Sequence, residues 1–380
     1  MKKAFVYGVA VEGENFTDRV EETRRLKMDF ENGQNVVLIS PRRMGKTSLV
    51  KRVISQIDTD KIAVVHLDIY DCRTEYEFYN KLATAVLRQA SGKGELMLHN
   101  IREFLTRLTP KISFGIDPAN EMSVSLGIAP EDYSPEEILQ LPEKVARKMG
   151  KHIVVCIDEF QQIGNFPDSI NVQKRIRGVW QLQEEVSYCL YGSKKHMLTD
   201  LFQNKRMPFY QFGDIRFLRP IALADWLPFI RGKFEEKGQS ISDEQITRIC
   251  ETVEFQSSYV QQLAWNVMLC CDKVVEESTI AEATDDLIGQ NSTLFLQQTD
   301  GLSSYQMNFL KALAAGETDD FTSATILKKY KLGSKSNISR LMETLIKKEL
   351  IEKTGRTVTI ADPVFRLWML RESRGEMHCE

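Results

Sequence analysis

The chain has 380 residues, 42% hydrophobic and 27% charged, the composition of an ordinary globular protein in two or three domains. With 50 Lys and Arg against 53 Asp and Glu the net charge is −3, so composition gives no global sign of nucleic-acid binding and any such signal must be local. Seven cysteines form no C-x-x-C pair, and several lie in apolar runs as buried free thiols do, the pattern of a reduced, intracellular protein.

The N-terminus carries Lys2 and Lys3 ahead of a short apolar run, but Glu12 and Glu14 cut that run and no cleavage-type segment follows. No stretch approaches the roughly 20 apolar residues needed to span a bilayer. The protein is therefore expected in the cytoplasm, without a membrane partner.

The first strong element is the run Val36-Val37-Leu38-Ile39, an apolar strand that breaks into Ser40-Pro41-Arg42-Arg43-Met44-Gly45-Lys46-Thr47-Ser48. A strand, a short loop and a helix opened by Gly-Lys-Thr form the P-loop layout. Backbone N–H groups at the helix start cradle phosphate oxygens, Lys46 adds a point charge, and the Thr47 hydroxyl reaches Mg²⁺. Ser40 stands where the pattern has its first glycine. Arg42 and Arg43 brace the loop, make a subunit contact or touch phosphate.

Strand patterns follow at 62–69, 153–157, 188–191 and 215–218, with helical patterns such as 48–57 and 75–89 between them. This alternation predicts a parallel sheet covered by helices, with ligands at the C-terminal strand ends. Residues 92–150 interrupt the scheme: Ile112, Phe114 and Ile116 alternate, Asp117-Pro118-Ala119-Asn120 turns, and Val124, Leu126 and Ile128 follow, as in a β-hairpin insertion. The next strand ends in Asp158-Glu159. Asp158 suits Mg²⁺, directly or through water, and Glu159 suits polarising an attacking water. Gln161 either helps to position that water or is a solvated polar residue.

Residues 221–300 read as helical, polar and acidic. Beyond them, helices at 305–314, 322–330 and 336–348 lead into a turned β pair around Thr354-Gly355-Arg356, the order of a winged helix. Between Lys328 and Arg356 nine Lys/Arg face three Glu, a local excess of six positive charges. Lys335, Arg340, Lys347, Lys348 and Arg356 could meet duplex DNA phosphates, or form a solvated basic face on a protein-contact module.

Taken together the chain resembles the archaeal-type P-loop ATPases, a branch of the AAA+/STAND class. The resemblance rests on Phe16-Thr17-Asp18-Arg19 with Glu21-Glu22 before Leu26, the doubled arginine before Met44-Gly45-Lys46-Thr47, Asp158-Glu159-Phe160-Gln161 and Tyr191-Gly192-Ser193. It implies an α/β P-loop NTPase core over 1–219 with the insertion at about 92–150, a helical lid over 220–300 and a winged helix over 301–380. It also implies that Ser193 occupies the place of a polar γ-phosphate sensor, the alternative being a simple helix cap. Two departures stand out. Tyr210-Gln211-Phe212-Gly213 has no arginine where relatives keep Tyr-Gly-Arg, leaving Arg216 and Arg219 as in-chain candidates. Gln256-Ser257-Ser258-Tyr259 replaces a Gly-x-Pro of the lid.

The expected activity is a Mg-dependent ATPase acting as a switch on DNA or a partner protein, with ATP and ADP as ligands and self-association or a partner raising its rate. A nucleotide-binding interaction protein with little turnover is the alternative. A P-loop kinase is disfavoured by the Asp-Glu pair and the appended winged helix.

Overall fold

The computed structural model describes residues 3–91, 115–116, 124–125 and 134–377. The chain divides into two compact units, Arg19–Arg219 on the one hand and Met1–Asp18 with Pro220–Glu380 on the other.

The first unit is built on five parallel strands: β1 (Val36–Ile39), β2 (Ile62–Asp68), β5 (His152–Asp158), β6 (Val186–Gly192) and β7 (Asp214–Phe217), in the order β2-β5-β6-β1-β7. The three inner strands are continuous apolar runs because helices cover both faces, so each side chain, whichever way the pleat points it, enters a core. One face, with Val37, Ile39, Val65, Val155 and Leu190, packs in one core with α3 (Glu75–Ser91), α4 (Pro135–Leu139), α5 (Leu141–Met149), α6 (Ser169–Trp180) and α7 (Lys195–Gln203). On α1 (Val20–Glu31) and α2 (Lys46–Ile54), which pack on one another, Leu26, Phe30, Leu49, Val50 and Val53 are buried.

Before the acidic strand, β3 (Gly115–Ile116) and β4 (Val124–Ser125) pair antiparallel, the pairing direction of the expected hairpin. The expected insertion over 92–150 is too long at its C-terminal end. Residues 135–149 form α4 and α5, whose Ile138, Leu139, Leu141 and Val145 are buried in the sheet core. Each of these short helices has a proline in its first turn, where the missing N–H costs no hydrogen bond, and is held by packing on the sheet. The expectations at Ile112, Phe114, Asp117-Pro118-Ala119-Asn120, Leu126 and Ile128 lie outside the described residues.

The second unit joins α8 (Leu223–Glu235), α9 (Asp243–Thr252), α10 (Ser257–Cys270) and α11 (Glu277–Thr299) to a winged helix. The latter comprises α12 (Ser304–Ala314), α13 (Ala324–Lys329), α14 (Lys335–Lys347), the hairpin β8 (Ile351–Thr354) and β9 (Thr357–Ile360), and α15 (Pro363–Met377). Capping boxes at Ser242/Gln245 and Ser303/Gln306 fix two helix starts. One continuous core runs through these helices and the winged helix, from Trp226 and Val260 to Leu345 and Trp368. Ala4 and Phe5 belong to it, Phe5 meeting the rings of Phe229 and Phe234, and Val6 N donates to Gln261 Oε1 at 2.9 Å. The start of the chain, expected with the sheet, thus packs with the C-terminal helices.

Among the described residues no helix is long and apolar enough to cross a membrane. Cys72, Cys156, Cys189, Cys250, Cys270 and Cys271 are free.

Candidate active site

Three strand ends place the site. The parallel register sets Ile39 beside Gly192, and Ile157 beside Leu190, so Ser40, Asp158 and Ser193 leave the sheet along one edge. After β1 the chain turns through Arg43 (φ 65°) and Gly45 (φ 85°), two left-handed residues flanking Met44. Such alternation aims successive N–H groups into one concavity, a ready seat for an anion, and α2 begins immediately after it. A Cβ on Gly45 would meet nothing within 4 Å, so the glycine is needed for its φ and not for space.

Ser40 is tolerated at the pattern's first position because the backbone there does not take a positive φ. Its side chain has work that glycine could not do: Ser40 Oγ accepts from Lys46 Nζ at 3.1 Å. The ammonium also donates to Ser40 O and Pro41 O, both at 2.8 Å, so Lys46 is buried and folded over its own loop. Pro41 is half-buried, Met44 and Ser48 are buried, and Arg42 and Arg43 extend to the surface.

Thr47 Oγ1 donates to Asp158 Oδ2 at 2.7 Å, tying the first turn of α2 to the tip of β5. Asp158 is 8% exposed, and burial pushes its carboxyl up to about 6, opposed by the hydrogen bonds from Thr47 and from Glu159 N (2.8 Å). A hydroxyl and a desolvated carboxylate in contact are hard oxygen donors that fit Mg²⁺. Among the described residues no group of three or more His, Cys, Asp or Glu could hold a metal ion. The donor set therefore suits an ion that completes its shell with water and phosphate oxygens rather than one held in a closed cage.

Glu159 takes a left-handed backbone (φ 53°), and Phe160 behind it is fully buried against Trp180, Phe202 and Phe209. This aromatic anchor fixes the turn that presents the Glu159 carboxylate. Glu159 Oε2 accepts from Ser193 Oγ at 3.1 Å and from Gln161 Nε2. Gln161 is 1% exposed, so the solvated reading of this residue is corrected. The capping alternative for Ser193 is also corrected: α7 begins at Lys195 with Lys194 as its cap residue, while the Ser193 hydroxyl turns to Glu159.

Lys46, Thr47, Asp158, Glu159, Gln161 and Ser193 thus converge. Arg216 does not join them, being ion-paired with Asp29 (2.7 Å) and Asp214 (2.8 Å), whereas the Arg219 side chain is exposed. On the winged helix, Lys335, Arg340, Lys347, Lys348 and Arg356 are all exposed. Arg340 and Lys347, two turns apart, share the face of α14 opposite the buried Ile338, Leu341 and Leu345, and Glu343 lies between them.

Two residues that carry geometry here were not given roles from sequence. Gly192 lies under the Gln161 amide, and Arg19 reaches the loop carbonyl of Met44 at 3.2 Å. Arg19 lies in the Phe16-Thr17-Asp18-Arg19 run and Gly192 in Tyr191-Gly192-Ser193, so the available signal for each was its place in a run that carries the resemblance.

The family described as "Probable winged helix domain" matches residues 293–371. No curated protein matches the chain. Among solved structures, a Walker-type ATPase of Pyrococcus abyssi aligns with a TM-score of 0.69 at 18% identity, over 97% of this chain and 100% of that one. The Aeropyrum pernix ORC2 protein, solved with ADPNP and ADP, gives 0.56 at 12% identity, over 96% of this chain and 98% of that one. The Aeropyrum pernix ORC1 protein in complex with DNA gives 0.50 at 13% identity, over 97% of this chain and 96% of that one. The fold is that of these P-loop ATPases: a five-stranded parallel sheet with flanking helices and a C-terminal winged helix.

Proposed function

We propose that this chain is a cytoplasmic, Mg·ATP-dependent switch that hydrolyses ATP slowly and passes its state, through a lid at 220–300 and the winged helix at 301–380, to duplex DNA or a partner protein. The observation that carries the reading is the Thr47–Asp158 hydrogen bond beside the Lys46 loop, with Glu159 one residue on. A phosphate loop, a metal-type oxygen pair and a general base meet where the strands end.

In this reading the N–H groups of residues 43–47 bind the phosphates, and Lys46 exchanges its contacts with Ser40 and Pro41 for phosphate oxygens. Thr47 and Asp158 would hold Mg²⁺, which would supply neutralisation of phosphate charge. The Glu159 carboxylate orients a water and takes its proton. Ser193 and Gln161 position Glu159, and Ser193 then reads the terminal phosphate. Arg219, with its free-standing side chain at the surface, or an arginine of a partner or a second copy, supplies charge to the transition state.

For the output, the similarity to a protein solved with DNA and the exposed Lys335, Arg340, Lys347, Lys348 and Arg356 favour phosphate contacts. The alternative, a nucleotide-binding interaction protein with little turnover, is favoured by one observation: both donors already occupy Glu159 Oε2.

Calorimetry with Mg·ATP, and phosphate release with and without duplex DNA, test the reading. Binding with slow release that rises with protein concentration or DNA is expected. Absence of ATP binding would overturn it, and binding with no release under any condition would leave the interaction-protein alternative.

A further inference from the structure

The Arg19 guanidinium is 3% exposed and spread over three oxygens: Arg219 O at 2.6 Å, Glu22 Oε1 at 2.9 Å and Met44 O at 3.2 Å. Burying this charge is costly, and a planar fork justifies the cost where it fixes several backbones at once. The three oxygens belong to three places that matter. Glu22 is in the first turn of α1, Met44 is in the phosphate loop, and Arg219 is the last residue before the chain leaves the sheet unit.

The chain crosses between its two units only twice, between Asp18 and Arg19 and between Arg219 and Pro220. Arg19 stands at both crossings, at one by its own backbone and at the other by its bond to the Arg219 carbonyl. The first crossing is held in an unfavourable conformation, since Asp18 (φ 53°) and Arg19 (φ 62°) are consecutive left-handed residues without being glycine. At the second, Pro220 has no N–H and a fixed φ, so the linker has little freedom apart from its carbonyl anchor.

The bond to Met44 adds the link to the ligand. In a planar trans peptide the carbonyl and the next N–H point in opposite directions. With the Met44 oxygen held by Arg19, the Gly45 N–H must point away from Arg19, into the turn that precedes Lys46. Any anion that pulls on Gly45 N–H therefore turns the same peptide whose other end Arg19 holds.

We propose that Arg19 is a positioning residue that couples the state of the phosphate loop to both chain crossings. The proposal rests on the nucleotide-binding reading above. When phosphate fills the loop, the Met44–Gly45 peptide settles, Arg19 is fixed, and the Arg219 carbonyl is fixed with it. Loop occupancy thus reaches the start of the C-terminal unit along the chain itself, through the Arg219 carbonyl.

The test is hydrogen exchange on the full chain, with Mg²⁺ and a non-hydrolysable ATP analogue as the probe, for wild type, Arg19→Met and Arg19→Lys. In wild type the analogue should slow exchange at residues 42–48 and, at the same ligand concentrations, at residues 218–224. In Arg19→Met the loop should still be protected, at a ligand concentration on the order of tenfold higher, while ligand-dependent protection at 218–224 is lost. Arg19→Lys keeps the charge but cannot fork to both carbonyls, so it should fall between, and it carries the test if the Met variant does not fold. A merely structural role would change exchange equally with and without ligand, so the ligand-dependent difference is the readout. Equal protection of 218–224 in wild type and Arg19→Met at loop saturation would overturn the coupling alone. A wild-type loop that no analogue concentration protects would overturn the coupling together with the reading beneath it.

Discussion

A Cβ placed on Gly192 would lie 1.9 Å from Gln161 Oε1 and 3.3 Å from the Glu159 Cα. The glycine at the end of β6 therefore exists so that the Gln161 side chain can lie across it and reach Glu159. Gln161 Oε1 is itself buried without a hydrogen-bond partner among the described residues, so the amide is held by packing on Gly192 and by its bond to Glu159.

Gly192→Ala is accordingly expected to displace Gln161 and loosen Glu159, lowering turnover about tenfold and costing roughly 1–3 kcal/mol of stability. The double variant Gly192→Ala/Gln161→Ala should recover much of the stability but not the rate. A double-mutant cycle by thermal unfolding checks this, and additive losses would show that the two residues do not interact.

Lys46→Ala should weaken Mg·ATP binding by on the order of 100-fold or more, as a charge-assisted phosphate contact is removed. The structure adds a second effect. Ser40 O and Pro41 O lose a buried donor, so the melting temperature of the ligand-free protein should also fall by a few degrees. Unchanged ATP affinity by calorimetry would remove Lys46 from the site.

Glu159→Gln keeps the shape and removes the proton acceptor. Nucleotide should bind and persist while turnover falls by about 10²–10⁴. Single-turnover measurement of phosphate release decides it, and wild-type release would exclude Glu159 from the chemistry.

Asp158 predicts a pH dependence of the ligand-free protein. Its folded-state value, about 6, lies above the ordinary 3.8 because burial penalises the charge. The bound proton therefore stabilises the fold: this contribution is complete below 3.8 and is lost as the pH rises through about 6. Asp158→Asn should raise the melting temperature at pH 8 by on the order of 5 °C and leave it nearly unchanged at pH 4. Equal effects at the two pH values would mean that Asp158 is not desolvated.

Duplex DNA affinity should fall steeply with salt, each phosphate neutralised contributing about 0.9 to the slope of log K against log salt. The triple variant Arg340→Ala/Lys347→Ala/Lys348→Ala should lower that slope by about 2–3. Glu343 lies on the same face as Arg340 and Lys347, so Glu343→Ala should strengthen binding. If no duplex binds at low salt, the basic face serves a protein partner or is solvated.

The sheet was legible because its strands β1 and β5 are apolar runs buried on both faces that lead into charged residues, Lys46 just beyond the loop that follows β1 and Asp158-Glu159 at the end of β5. The winged helix was legible from the spacing of Ile338, Leu341 and Leu345 and the Gly355 turn. What escaped depends on distance in three dimensions. Nothing local in Gln161 says that it will be buried against Gly192, and nothing local in Arg19 says that it will meet carbonyls of Met44 and Arg219. Helices α4 and α5 escaped because each is shorter than three turns, too short for its period to show, and is held by packing on the sheet core. Gln256-Ser257-Ser258-Tyr259 looked like a damaged lid motif, yet Gln256 donates to Ala361 O (3.1 Å) and Tyr259 to Asp362 Oδ2 (2.7 Å), locking α10 to the start of α15.

The place of Ala4 and Phe5 in the same core as Trp368 and Met369 sets an order of events at the ribosome. Residues 19–219 can close their sheet as soon as they emerge, since every strand of it is then available. Ala4 and Phe5 must wait for Trp368 and Met369, made more than 360 residues later, on the order of 20–70 s at ordinary synthesis rates. For the first part of that interval Phe5 is also without its ring partners Phe229 and Phe234, which are not yet translated. Newborn chains interrupted late should therefore hold a finished sheet and an unfinished helical unit, the species on which holding chaperones would act.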